Sequence, residues 1–170
     1  MGKKRALADV EKILRKHKVK ELARVEPASV VTAEWVRLKC QFGCGGYGQC
    51  LTCPPHSPTP EQTRRLIDEY RTVYLLWWGP EFGGREELAA IEREVFLAGY
   101  YKALALACGP CFLCNPCPLE HPCRHPHAAR PAMEACGIDV YETAHRAGLP
   151  LQVVTTQDDT ANYYSLLLVE

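Results

Sequence analysis

Nine of the ten cysteines fall in two short windows, and no regular helix or strand can run through either. The first reads Cys40-x3-Cys44-x5-Cys50-x2-Cys53-Pro54-Pro55. The second reads Cys108-x2-Cys111-x2-Cys114-x2-Cys117-Pro118, with Cys123 following. Gly43, Gly45, Gly46 and Gly48 break up the first window, and Gly109, Pro110 and Pro116 the second. Two-residue spacers let thiolates turn toward one centre while the backbone N–H groups of the turn point at the sulfurs. Disulfides are the competing reading. A chain of 170 residues hides enough surface to fold on its own core without covalent staples. The charged N-terminus lacks the apolar stretch of a secretory signal. Free thiols in a reducing, cytoplasmic setting, acting as metal ligands, are therefore the expectation.

The spacing bears on the metal. Closely set cysteines ending in Cys-Pro resemble the cuboidal iron–sulfur arrangement C-x2-C-x2-C-x3-C-P. Here the last interval is one residue short, so Cys123 competes with Cys108 as fourth ligand beside Cys111, Cys114 and Cys117. If Cys123 wins, Cys108 is a buried thiol at a strand end. Structural zinc, held by separated cysteine pairs or by a mixed Cys/His set, is the alternative. His56, His121, His125 and His127 stand near the two windows but read as hydrogen-bonding loop histidines. Arg124 and Arg130 are expected to offset thiolate charge or hold an anion. Cys136, in a helical stretch, reads as a small core residue.

Lys+Arg and Asp+Glu number 20 each, which argues against a nucleic-acid binder. Residues 1–24 carry 9 basic and 3 acidic side chains and read as a basic N-terminal helix with Leu7, Val10, Ile13 and Leu14 on its apolar face. No apolar run reaches the ~18 residues of a membrane span. Ser29–Lys39 is rich in β-branched and aromatic residues and predicts a strand leading to Cys40. Thr59-Pro60-Glu61-Gln62 is a capping-box start for a helix to about Tyr70.

Thr72–Trp78 predicts a strand covered on both faces, and a helix runs from about Arg85 to Tyr101. Lys102–Ala107 predicts a strand delivering the second window. A helix capped at Asp139 closes at Gly148, and Leu151–Val154 and Tyr163–Val169 are final strands. The whole is one α/β domain over residues 1–170, a mixed sheet flanked by helices. Two cysteine-rich metal loops, at 40–58 and 108–127, are added to it.

VRLKC at 36–40, CPPHSPTP at 53–60, FLAGYYKALAL at 96–106, GPCFLCNPC at 109–117 and PCRHPHAARPAMEACGIDV at 122–140 together resemble one family. It is a group of bacterial and archaeal predicted metal-binding proteins, a domain of unknown function. The resemblance places that family's cysteines on Cys40, Cys44 and Cys53 in the first window and on Cys111, Cys114, Cys117 and Cys123 in the second. Cys50, Cys108 and Cys136 are then additions. It implies a closed four-thiolate second site and a three-thiolate first site, where an open coordination position can take a small ligand. Cys50 is the residue that could close that position.

The resulting candidate ligands are Cys40, Cys44, Cys50, Cys53, Cys111, Cys114, Cys117 and Cys123. The function expected of them is to hold two [4Fe–4S]-type clusters for electron transfer with a redox partner protein, or for cluster-based binding of a small molecule. A zinc-stabilised, non-catalytic module and an enzyme using an open iron are the competing readings. No phosphate-cradling loop, nucleophile elbow or His-Glu-x-x-His helix is present.

Overall fold

The computed structural model describes residues 6–170. Lys3, Lys4 and Arg5 of the basic N-terminal run lie outside the described residues. Within that run, helix α1 (Leu7–Leu14) buries Val10, Ile13 and Leu14 as their spacing requires. The chain then changes to strand β1 (Glu21–Val25), so the basic segment is not one helix. Pattern alone does not separate β1 from a helix, because it is a five-residue edge strand with one buried side chain.

Four strands form the sheet in the order β1-β2-β4-β3, where β2 is Val73–Gly79, β3 Leu104–Leu106 and β4 Tyr163–Leu168. All three pairings are antiparallel, where a mixed sheet was expected. The C-terminal strand inserts between β2 and β3, with Leu168 opposite both Val73 and Leu104. A parallel bridge between Ala107 and Ala132 lies outside the strands.

The continuous apolar run of β2 serves two cores at once. Val73 and Leu75 join Ile67, Met133, Ile138 and Leu166 on one face. Tyr74, Leu76 and Trp78 meet α1 and α4 (Arg85–Leu97) on the other, through Leu14, Leu88 and Ile91. Each such side chain, fully buried, contributes about 1.5–3 kcal/mol.

Helix α3 (Pro60–Asp68) starts at Thr59, whose hydroxyl accepts from Gln62 N while Gln62 returns the bond to Thr59 N. Helix α5 (Val140–Arg146) follows Asp139, whose carboxylate accepts from Glu142 N at 3.0 Å.

Two expected strands are not strands. Residues 34–43 form helix α2 (Glu34–Gly43). Only the β-branched Val30-Val31-Thr32 end is extended, with Thr32 bridging Ile138. Glu34 then suits a helix N-terminus, and Val36 is the residue of this helix that packs inward. Leu151–Val154 is irregular and largely exposed, because no neighbouring strand takes up its backbone groups. Gly137 has φ +76°, and a Cβ there would lie 2.4 Å from Pro60 Cγ. Only glycine lets the 3₁₀ turn Glu134–Cys136 press against the start of α3.

Candidate metal centre

Cys40 projects from α2, and Cys44 follows its last residue. The chain doubles back through tight turns to Cys53, whose carbonyl accepts from the N–H groups of His56 and Ser57. This folding gathers the sulfurs. A methyl group at Gly46 would stand 3.5 Å from Cys44 Sγ, 3.7 Å from Cys53 Sγ and 3.5 Å from Pro110 Cβ of the second loop. Gly46 N donates to Cys44 Sγ at 3.4 Å, the N–H-to-sulfur contact that thiolate centres use. Cys40 Sγ lies 3.9 Å from the Glu134 carbonyl.

These three thiols border a cleft of about 720 Å3. Trp35, Tyr47, Tyr141 and Tyr163 also line it. Burial pushes the thiols of Cys40 and Cys53 up, and the charge of Cys44 adds to both. A cation in their midst would reverse that cost.

In the second window, Cys114 is raised by desolvation, then by Cys117, with which it shares a side-chain hydrogen bond, and by Cys111. The first loop reaches across to this group. Leu51 N donates to Cys117 Sγ at 3.4 Å, and Cys50 Sγ donates to the Cys111 carbonyl at 3.4 Å. Burial pushes Cys50 up to about 11, with Cys53, Cys117 and Cys111 adding in that order. Cys50 therefore sits between the two groups. Cys123 accepts from His125 N at 3.4 Å and borders a separate hollow with Leu51, Thr52 and His56.

Cys108, at the exit of β3, is buried and pushed up to about 12, first by desolvation and then by Glu134. It lines the first cleft. Cys136 is a core thiol, 1% exposed and likewise pushed up to about 12 by burial.

Of the two arginines expected to offset thiolate charge, Arg130 is engaged elsewhere. Arg130 forks onto Glu92 at 2.6 and 2.7 Å, a bidentate pair that occupies it away from the thiols. Arg124 does act on Cys114, lowering its thiol. Two arginines that the sequence does not single out matter more. Arg85 is 7% exposed and donates to the carbonyls of Gly109, Pro110 and Arg130. Its charge lowers both Cys53 and Cys108. Arg37 on α2 donates to the carbonyls of Ser57, Pro58 and Ala135 and lowers Cys40.

All ten cysteines are free thiols. Among the described residues no three His, Cys, Asp or Glu side chains are gathered tightly enough to chelate a single ion as they stand. Cys40, Cys44, Cys53 and Cys108 line the first cleft and Cys123 the second hollow. Arg85 is buried near Cys53 and Cys108, and the softness of thiol donors suits zinc or iron–sulfur centres. Among the described residues no helix is long and apolar enough to cross a membrane.

A family described as predicted metal-binding protein (DUF2284) matches residues 23–169. No curated protein and no solved structure matches the chain.

Proposed function

The chain belongs to this family of predicted metal-binding proteins, and from that premise we propose that it holds two thiolate-bound iron–sulfur centres with different tasks. The first, at Cys40, Cys44 and Cys53, receives a small organic molecule from the adjoining cleft. The second, at Cys111, Cys114 and Cys117 with Cys50 or Cys123 as fourth thiolate, exchanges electrons with a redox partner protein. The carrying observation is the placement of the first three thiols on the wall of a cleft of about 720 Å3, within the range that encloses a small-molecule ligand. The second group is overlaid instead by the backbone of Leu51.

The iron–sulfur assignment is supported by the thiol-only donor set and by the Cys-x2-Cys-x2-Cys run that ends in Cys-Pro. When bound, an iron with an open position acts as a Lewis acid toward an oxygen or sulfur donor. The protein's own groups do the rest. The aromatic walls exclude water and hold an apolar ligand body. Lys39 offers a cation on the same wall, and Arg85 places a fixed positive charge behind Cys53 and Cys108.

Anaerobic purification followed by iron, zinc and acid-labile sulfide analysis tests the proposal. A brown protein with iron and sulfide in equal amounts, bleached by dithionite, is the expected result. A colourless protein with stoichiometric zinc would overturn the iron–sulfur reading in favour of a zinc-stabilised module.

A further inference from the structure

The first centre has three thiols and one conspicuous companion. Glu134 opens the 3₁₀ turn Glu134–Cys136 and borders the same cleft as Cys40, Cys44 and Cys53. Its Oε2 is sealed from solvent and has no hydrogen-bond partner among the described residues. Buried carboxylate oxygens without a partner are costly, and natural proteins keep them where a cation or a ligand meets them. Only one other side-chain oxygen among the described residues shares that condition, the Thr52 hydroxyl, which carries no charge.

The turn that carries Glu134 is held in place. The Ala135 carbonyl accepts from Ser57 Oγ at 2.5 Å and from Arg37 at 3.3 Å. The Cys136 carbonyl accepts from Thr63 Oγ1 at 2.7 Å. Gly137 packs on Pro60 at the far end. The carboxylate is thus presented from a fixed backbone, not from a mobile loop, and its own carbonyl already touches Cys40 Sγ at 3.9 Å. Burial pushes the Glu134 carboxyl up, and its own backbone N–H and then the charge of Arg85 oppose that rise. The Arg85 guanidinium itself donates to the carbonyls of Gly109, Pro110 and Arg130.

We propose that Glu134 is the fourth ligand of the first centre, an oxygen donor completing a three-thiolate, one-carboxylate set with Cys40, Cys44 and Cys53. The assignment rests on the reading that those three thiols hold a metal. It explains why a buried carboxylate oxygen with no protein partner, Glu134 Oε2, is kept beside a group of thiols: one metal centre meets all four side chains. It also gives the first centre a position unlike its other three. A carboxylate oxygen is a harder, more readily displaced donor than a thiolate on the soft metals that sulfur selects, so this is the position a ligand from the cleft would take. Cys50, directed at Cys111, is then not needed to close the first site.

The test is a cobalt(II) titration of the reduced, metal-free full chain under anaerobic conditions, in competition with a chromophoric chelator. Wild type, Cys44→Ser, Glu134→Gln and Glu134→Cys are compared. Cys44→Ser should lose one cobalt per chain. Glu134→Gln should weaken binding at that same centre by roughly tenfold or more and leave the other unchanged. Glu134→Cys should restore the affinity and strengthen the sulfur-to-cobalt charge-transfer band, because a fourth thiolate has joined. Since Oε2 has no partner to lose, metal-free Glu134→Gln should melt within roughly 2 °C of wild type, which separates ligation from a structural role. Wild-type affinity and spectrum in Glu134→Gln, alongside a lost cobalt in Cys44→Ser, would overturn the ligand assignment and spare the three-thiolate reading. Unchanged cobalt binding in Cys44→Ser would overturn both.

Discussion

Replacing Arg85 with Met removes a buried guanidinium that ties the start of the second cysteine loop to the rest of the fold. Arg85 is the first residue of α4, where the helix dipole disfavours a cation, so its presence there needs a compensating interaction. The compensation is visible in three carbonyls: Gly109 at 2.5 Å, Pro110 at 2.8 Å and Arg130 at 3.1 Å. A hydrogen bond from a charged donor contributes about 1.5–3 kcal/mol. The three acceptors are only partly enclosed, so water recovers some of that loss in the variant. A net of about 1 kcal/mol each gives roughly 3 kcal/mol for Arg85→Met, a large share of the ~5–15 kcal/mol that holds a domain together.

In a chain of this length that corresponds to a fall in melting temperature of roughly 6–12 °C. Urea unfolding of protein purified anaerobically measures it, and amide exchange at Cys108 and Cys111 localises it. Arg85→Lys, keeping the charge but not the fork, should fall between wild type and Met. A loss below about 1 kcal/mol for Arg85→Met would show that the loop holds itself and that the three carbonyls are not Arg85's contribution to the fold.

Cys114→Ser should lose one metal centre and lower the melting temperature together, because the exposed loop around it has no apolar core of its own; full metal content with unchanged melting would contradict this. Thr59→Ala breaks the reciprocal capping pair with Gln62 and should cost about 1 kcal/mol, read as a lower urea midpoint at constant slope. The thiols of Cys108 and Cys136 are raised from 9.0 to about 12 by burial, so the folded chain keeps protons that the unfolded chain releases. Their contribution to stability is complete below pH 9 and is lost as pH rises through about 12. Alkaline unfolding of the reduced protein should follow this course, and Cys136→Ala should flatten it; an equally steep fall in that variant would exclude Cys136 as a source.

Local chemistry was legible wherever it was self-contained. The Thr59–Gln62 capping pair, the doubly covered β2 and the terminal strand β4 each carry their signal within a few residues, and the structure reproduces all three. Ser29–Lys39 misled because Val30, Val31, Trp35 and Val36 suit a strand by type. Only the packing of Val36 and the carbonyls met by Arg37 select the helix. Arg130 looked available beside the second window, but Glu92, 38 residues earlier, takes it. Cys50 belongs to the first window in the chain, yet its thiol meets the Cys111 carbonyl of the second.

The sequence by itself determined that most of these thiols would crowd into two irregular stretches, because glycine and proline at those spacings interrupt regular elements; Cys40, carried by α2, is the exception. Tertiary structure alone decided which thiols share a hollow, that a cleft opens beside Cys40, Cys44 and Cys53, and that Glu134 lies sealed within reach of it. The reason is physical. Spacing along the chain governs the backbone turn, but burial and partnership depend on segments such as Cys50 and Cys111, or Cys40 and Glu134, that meet only once the sheet and its helices have closed.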